Sequence, residues 1–414
     1  MVDKPIIVIG AGIVGVSTAI WLQRAGHEVL LLDKGKPGMG ASFGNAGLLA
    51  QWAMTPVNTP GLWKDAPRYL IDPNGPLFMK WLQFPKLLPW ITKFMSHATD
   101  HGARRIVDNL IPLVSDSVDQ HKSLVEGTPL ASWIRDSKFS YAYPDLAAFQ
   151  ADAFSWEMKA KAGFIPTVLT GAEVREAEPI LGPSTQCLAV LEGHGHITNP
   201  GLYVAELAEF FVKSGGRFIS AEVKDFTLSG GQVRSVATDQ GLFDCAKVVL
   251  TAGIWSKDLM TKLGLKIPME TERGYHVLYK DPSQLPRDPM MITAGKFGVN
   301  PMDMGLRCAG MVELGDHHAG PSKAPLALLR KKVAAAFPDM TYSGTEEWMG
   351  FRPTPPDSTP VIGELNGSGI FAGFGHQHVG LTAGPKTGRL IAQLLSGAPP
   401  NLDMTPYAPD RFLQ

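Results

Sequence analysis

The stretch PIIVIGAGIVGVSTAIWLQRAGHEVLLLDKG, residues 5–35, limits what this chain can fold into more than any other part of it. Ile6–Ile9 is a short apolar run of the kind that a strand buried on both faces shows. Gly10, Gly12 and Gly15 follow as G-x-G-x-x-G, residues 16–24 have a helical pattern, and Gly26 can end that helix. Glu28 to Leu32 reads as a second buried strand, and it closes on Asp33. Strand, tight turn, helix and strand in that order predict a parallel βαβ opening, and hence an α/β chain.

The glycines have separate physical reasons. Gly10 makes the turn, Gly12 lets backbone approach a pyrophosphate, and Gly15 lets the helix pack on the strand. The helix N-terminus offers unpaired N–H groups and a positive dipole end to phosphate. Asp33 lies 18 residues after Gly15, where a carboxylate can accept from ribose hydroxyls. FAD and NAD both dock an ADP moiety this way. Residues 34–52, KGKPGMGASFGNAGLLAQW, do not start a further helix and strand. They suit a loop lying along an extended cofactor and favour FAD; a plain glycine-rich surface loop is the competing reading.

With 414 residues the chain is long enough for two domains. Its 38 lysines and arginines balance 39 acids, so nothing points to nucleic acid. Cys187, Cys245 and Cys308 are odd in number and far apart, which fits a reducing compartment. Neither a secretory signal nor a membrane-spanning run is expected, so the chain is placed in the cytoplasm. His376 with His378 has no carboxylate or cysteine nearby in sequence, and no metal is expected there, at His194 with His196 or at His317 with His318.

Helices are expected over 103–126, 146–162 and 326–337; 197–223 reads as a proline-led helix stopped at Gly215–Gly216 and then a strand; and strands are expected ending in Ala252–Gly253 and over 275–279, 290–293 and 305–313. A hairpin should turn at Gly230–Gly231. Cofactor-binding elements thus recur at the start, middle and end. A discontinuous Rossmann-like cofactor domain is expected from 1–55, 196–257 and 345–414. A substrate domain of antiparallel sheet and helices would take 56–195 and 258–344.

Six segments together carry a resemblance: the first glycine motif, GASFGNAGLLA, VVLTAGIWS, TERGYHV, WMGFRPTPPDSTPVIGE and GFGHQHVGLTAGPKTGRLIAQLLSG. In this order they resemble the D-amino acid oxidase and glycine oxidase family of FAD-dependent enzymes, above all its branch of bacterial D-amino acid dehydrogenases of the small-subunit type. The resemblance implies non-covalent FAD, since no cysteine falls at 348–352 and no histidine at 38–48. It implies that Gly10, Ala11, Gly12, Ile13, Val14 and Gly15 hold the pyrophosphate and that Asp33 and Lys34 lie at the adenosine ribose. Ser42, Asn45, Ala46, Gly47 and Leu48 would meet the ribityl chain and flavin, and Val223 the adenine. Ala252, Gly253 and Trp255 would lie under the cofactor, with Gly350, Gly375, His376, Val379, Gly380, Leu381 and Thr382 facing the flavin.

Three residues are implied at the chemistry: Arg352, which would grip a substrate carboxylate with its planar fork, and Tyr275 and His378 beside it. The reaction implied is oxidative deamination of an amino acid, most simply a D-amino acid. Hydride would pass to flavin N5, a 2-oxo acid and ammonia would form, and electrons would go to a quinone or another acceptor than O2. Secondary amino acids such as sarcosine, D-hydroxyproline or an opine are the alternative substrates. A third reading, a flavoprotein component of a larger dehydrogenase complex, leaves Arg352 without a use. Trp63, Trp81 and Trp90 stand among Lys64, Arg68, Lys80, Lys86 and Lys93 within 53–95. That segment either packs internally or gives a peripheral contact with the inner face of a membrane.

Overall fold

A computed structural model of the chain describes residues 4–412 apart from 65–71, 73, 74, 76 and 316. Two sheets organise it. In the first, the strand order is Val361–Glu364, Ile370–Phe374, Lys247–Leu250, Ile6–Ile9, Val29–Asp33 and Arg217–Ser220. All neighbours are parallel except the edge pair of Val361–Glu364 with Ile370–Phe374. Ile7 pairs with Leu30 on one side and Val248 on the other. Its central strands are buried on both faces, which is why they read as unbroken apolar runs.

The helix Ile13–Arg24 follows the first strand and the helix Gly380–Leu395 follows Ile370–Phe374. They pack closely because a Cβ at Gly384 would come within 2.9 Å of Ile13, and one at Gly388 within 2.6 Å of the Thr18 backbone. Both helices therefore start at the carboxyl ends of parallel strands, side by side, where α/β sheets bind ligands. The hairpin of Val223–Ser229 and Gln232–Thr238 turns at Gly230 and Gly231, both with positive φ, and adds Gly241–Asp244 as a third strand.

The second sheet runs Gly344–Thr354, Glu270–Lys280, Gly305–Leu314, Phe297–Met302, Met290–Ile292, Ile134–Tyr143, Cys187–Ile197 and Leu48–Leu49, with Leu77–Met79 and Thr167–Thr170 attached. Gly344–Thr354 and Leu48–Leu49 belong to this sheet, although sequence grouped them with the cofactor segments. The helix Lys323–Ala336 covers a separate core beneath it, built on Tyr275, Val277, Leu306, Cys308 and Leu329.

Candidate active site

Gly10 has φ +105°, and a Cβ there would stand 2.6 Å from the Thr251 carbonyl. At Gly15 a Cβ would meet the Gly10 carbonyl at 1.8 Å, so the helix can sit on the turn only with glycine there. Gly12 caps the helix without a side chain, and its first turn carries no acid. The Ile13 N–H donates to Ser42 Oγ at 3.0 Å, which ties the loop after Asp33 to the helix start. The Asp33 carboxylate accepts from Ala11 N–H at 2.7 Å and from Gly35 N–H at 2.8 Å, so it also braces the glycine turn. The Lys34 ammonium lies 4.2 Å above the Trp255 ring.

A cavity of about 1070 Å³ starts at this turn, passes Ser42, Asn45, Ala46 and Leu48, and reaches Arg352. Val223, Ala252, Gly253, Gly350, His376, Gly380, Leu381 and Thr382 also line it. Gly15, Gly47, Gly375 and Val379 do not; they shape the backbone behind the lining. Gly47 and Gly375 have φ of +77° and +83°, and a Cβ would stand 2.5 Å from the Ile197 carbonyl and 2.8 Å from Pro355, respectively.

At the far end the strand Gly344–Thr354 runs antiparallel to Glu270–Lys280, with Arg352 opposite Glu272 and Gly350 opposite Gly274. The Arg352 guanidinium lies over Gly274, where a Cβ would approach Cζ, Nε and Nη2 to 2.8 Å. Burial lowers the Arg352 guanidinium, and Glu272 opposes that shift. His378 lines the same end; burial, aided by Arg352, pushes it down to about 4, so it is neutral at pH 7. His376 Nε2 is paired with Thr387 Oγ1 at 2.9 Å.

Tyr275 departs from the catalytic expectation. Strand alternation sends its side chain to the face opposite Glu272 and Gly274, into the core beneath the sheet. Its hydroxyl donates to Glu313 at 2.6 Å and accepts from Ser322 N–H at 3.2 Å. Tyr275 is therefore part of a buried network with Arg273 and Glu313, and it borders the cavity as wall.

A family model described as DAO, FAD dependent oxidoreductase, matches residues 5–394. This chain belongs to that family. A D-amino-acid oxidase of Bradyrhizobium diazoefficiens is 38% identical to it over 99% of each chain. A D-amino acid dehydrogenase of Rhizobium rhizogenes is 27% identical over 98% of this chain and 99% of its own. Glycine oxidase from Geobacillus kaustophilus shares the fold at TM-score 0.77 and 20% identity, covering 98% of both chains. This protein is thus an FAD-dependent oxidoreductase. Its residues fit that cofactor: the glycine turn leaves a cradle that a single Cβ would fill, and the cavity extends from two uncapped helix starts.

Sequence reading missed the contacts that hold the loop along this cavity. Arg307 Nη1 donates to the carbonyls of Phe43 at 3.0 Å and Asn45 at 2.7 Å, and Asn300 Nδ2 to that of Ala46 at 2.8 Å. His276 Nδ1 pairs with the Gly44 carbonyl at 3.0 Å, and its ring stacks on Trp348. The one sequence signal for them is polar residues interrupting apolar strands.

The 53–95 segment divides. Trp90 is buried, donates Nε1–H to the Thr354 carbonyl at 2.9 Å, and lines the cavity with Leu62, Met79, Ile91 and Phe94. Trp63, Trp81 and Leu82 are exposed, Leu82 by 96%. Arg68 lies outside the described residues. No helix among the described residues is long and apolar enough to cross a membrane, and none of their His, Cys, Asp and Glu groups of three or more could hold a metal ion.

Proposed function

We propose that the enzyme oxidatively deaminates D-amino acids to 2-oxo acids and ammonia. The observation that carries this reading is the Arg352 guanidinium, laid over Gly274 at the end of a cavity whose other end is the glycine turn. Asp33 and the helix start would hold the ADP part of FAD, and the 40–48 loop and the start of the last helix its flavin. Bound FAD supplies the two-electron acceptor, held without a covalent link. Arg352 grips the substrate carboxylate with two N–H donors, and neutral His378 stands beside it as a hydrogen-bonding wall. The lining formed by Leu62, Leu77, Met79, Trp90 and Phe94 receives an apolar side chain. The names of the 38% and 27% relatives support D-amino acids.

Those names differ on the acceptor. The 38% relative is called an oxidase, and the 27% relative a dehydrogenase. Our reading of a quinone, or another acceptor than O2, rests on the dehydrogenase names and on the exposed side chains of Trp63, Trp81 and Leu82, which suit a membrane surface at the cytoplasmic side. Anaerobic addition of D- and L-amino acids to the isolated holoenzyme, followed by flavin absorbance, tests the substrate. Re-oxidation by air against a soluble quinone then tests the acceptor. Arg352→Ala should keep FAD and lose about 2–5 kcal/mol in kcat/KM, with Arg352→Lys between it and wild type. A wild-type kcat/KM in the alanine variant refutes the carboxylate grip.

A further inference from the structure

The cavity holds an acidic group next to Arg352. Glu272 lines it, is buried, and stands directly opposite Arg352 on the neighbouring strand. Cross-strand partners present their side chains on one face of the sheet at neighbouring positions. Glu272 and Arg352 act on each other electrostatically, yet no ion pair within 4.0 Å joins them. The pair is thus a buried carboxyl and a guanidinium whose oxygens and nitrogens stand more than 4.0 Å apart, both lining one cavity. An α-amino acid is a small dipole of matching kind, with carboxylate and ammonium on adjacent bonds.

Resting on the reading of Arg352 given above, we propose that Glu272 is a catalytic residue that receives the substrate's α-amino group and takes its proton. One N–H bond of the ammonium breaks and one O–H bond forms on the Glu272 carboxylate. The charges, −1 and +1 before transfer, are both neutral after it, and the nitrogen lone pair becomes available for oxidation at Cα. The site then needs no water to neutralise the amine.

The surroundings favour this. Burial raises the Glu272 carboxyl, which makes it a stronger base than an exposed carboxylate; Arg352 and then the Thr354 hydroxyl oppose the shift. Leu314, its partner on the other flanking strand, carries no charge. His378, the titratable neighbour of Arg352 on the last loop, is neutral at pH 7. Before substrate binds, Glu272 offsets the buried guanidinium. With substrate bound, each charge meets its own counter-charge, so neither is left unpaired.

The test compares two ligands on the holoenzyme, each read separately. Benzoate, a carboxylate without an amino group, is titrated by the perturbation of flavin absorbance, and one good D-amino acid is followed by kcat/KM across pH. In Glu272→Gln, benzoate should bind within about threefold of wild type or tighter. The kcat/KM should drop about 10²-fold at pH 7 and recover as pH approaches the amine's own pKa. In Arg352→Ala, benzoate binding should be lost. If Glu272→Gln weakens benzoate and kcat/KM in parallel, Glu272 only positions Arg352 and the proposal fails. An unchanged kcat/KM overturns it as well. Retained benzoate binding in Arg352→Ala would sink the reading of Arg352 instead, whatever Glu272 does. Should the glutamine variant not hold FAD, Glu272→Asp should show the same split in smaller measure, with catalysis falling more than benzoate affinity; a parallel fall there also overturns the proposal.

Discussion

Arg352 occupies the space that a side chain at residue 274 would fill: a Cβ on Gly274 would lie 2.8 Å from its Cζ. The two stand on adjacent strands that pair over eleven positions, from Glu270 with Thr354 to Lys280 with Gly344. The glycine is what lets a guanidinium lie flat against the sheet and face the cavity.

Gly274→Ala should therefore act on function before fold. The atoms in the way are the end of a flexible side chain, so Arg352 can swing aside at small cost in stability. We expect FAD content and Tm close to wild type and kcat/KM lowered at least tenfold, about 1.4 kcal/mol. Steady-state kinetics with thermal melts check this; full activity would mean that the position of Arg352 over Gly274 is dispensable.

Asp33→Ala removes the acceptor for the Ala11 N–H of the glycine turn and for the Gly35 N–H, as well as the expected ribose contact. FAD affinity should fall by about 1.5–3 kcal/mol, while turnover of whatever holoenzyme forms stays near normal. Fluorescence titration of apoenzyme measures it. Acid precipitation of wild type should release all flavin to the supernatant, and colour left in the pellet would contradict non-covalent binding.

His121 sets a pH limit on stability. It is fully buried, with Nε2 donating to the Leu381 carbonyl at 2.9 Å, so neutral Nδ1 accepts from the Tyr203 hydroxyl at 3.0 Å. Burial pushes it down from 6.5 to about 4. The unfolded chain takes up its proton near 6.5 and the folded chain only near 4. Stability is therefore complete above pH 6.5 and falls between 6.5 and 4, by up to about 3 kcal/mol for this group. Urea midpoints should drop from pH 7 to 5, and His121→Gln should flatten that slope by about one proton. An identical slope in the variant would assign the effect to other histidines.

Glu313→Ala strips the partner from Arg273, whose side chain is fully buried, and frees the Tyr275 hydroxyl. Breaking one side of such a pair should cost about 3–5 kcal/mol. Chemical denaturation should show this as a large loss of stability with FAD affinity little changed; a loss below about 1 kcal/mol would mean that Arg273 finds compensation in the carbonyls of Ala319 and Gly320, to which it also donates.

What the sequence alone determined is what local physics can write down. Ile6–Ile9, the glycine turn, the first helix and Asp33 lie within about thirty residues, and each is specified by run length, chain stiffness or helix-end chemistry. The Gly230–Gly231 turn is legible for the same reason, since two consecutive positive φ angles need glycine. Arg352 could be singled out only because its neighbours resemble a known motif. The long strands Ile134–Tyr143 and Cys187–Ile197 went unread, because their polar and apolar residues do not alternate cleanly. Tertiary structure alone decided the partners of Arg352. Gly274 and Glu272 meet it through the register of two strands some seventy residues apart, and a shift of one residue would have turned the opposite face to it. The same pleat sent Tyr275 to the core and left Glu272 in the cavity. Arg307, Asn300 and His276 found the 43–46 loop in the same way: its carbonyls needed donors, and only folding could bring residues from more than two hundred positions away to supply them.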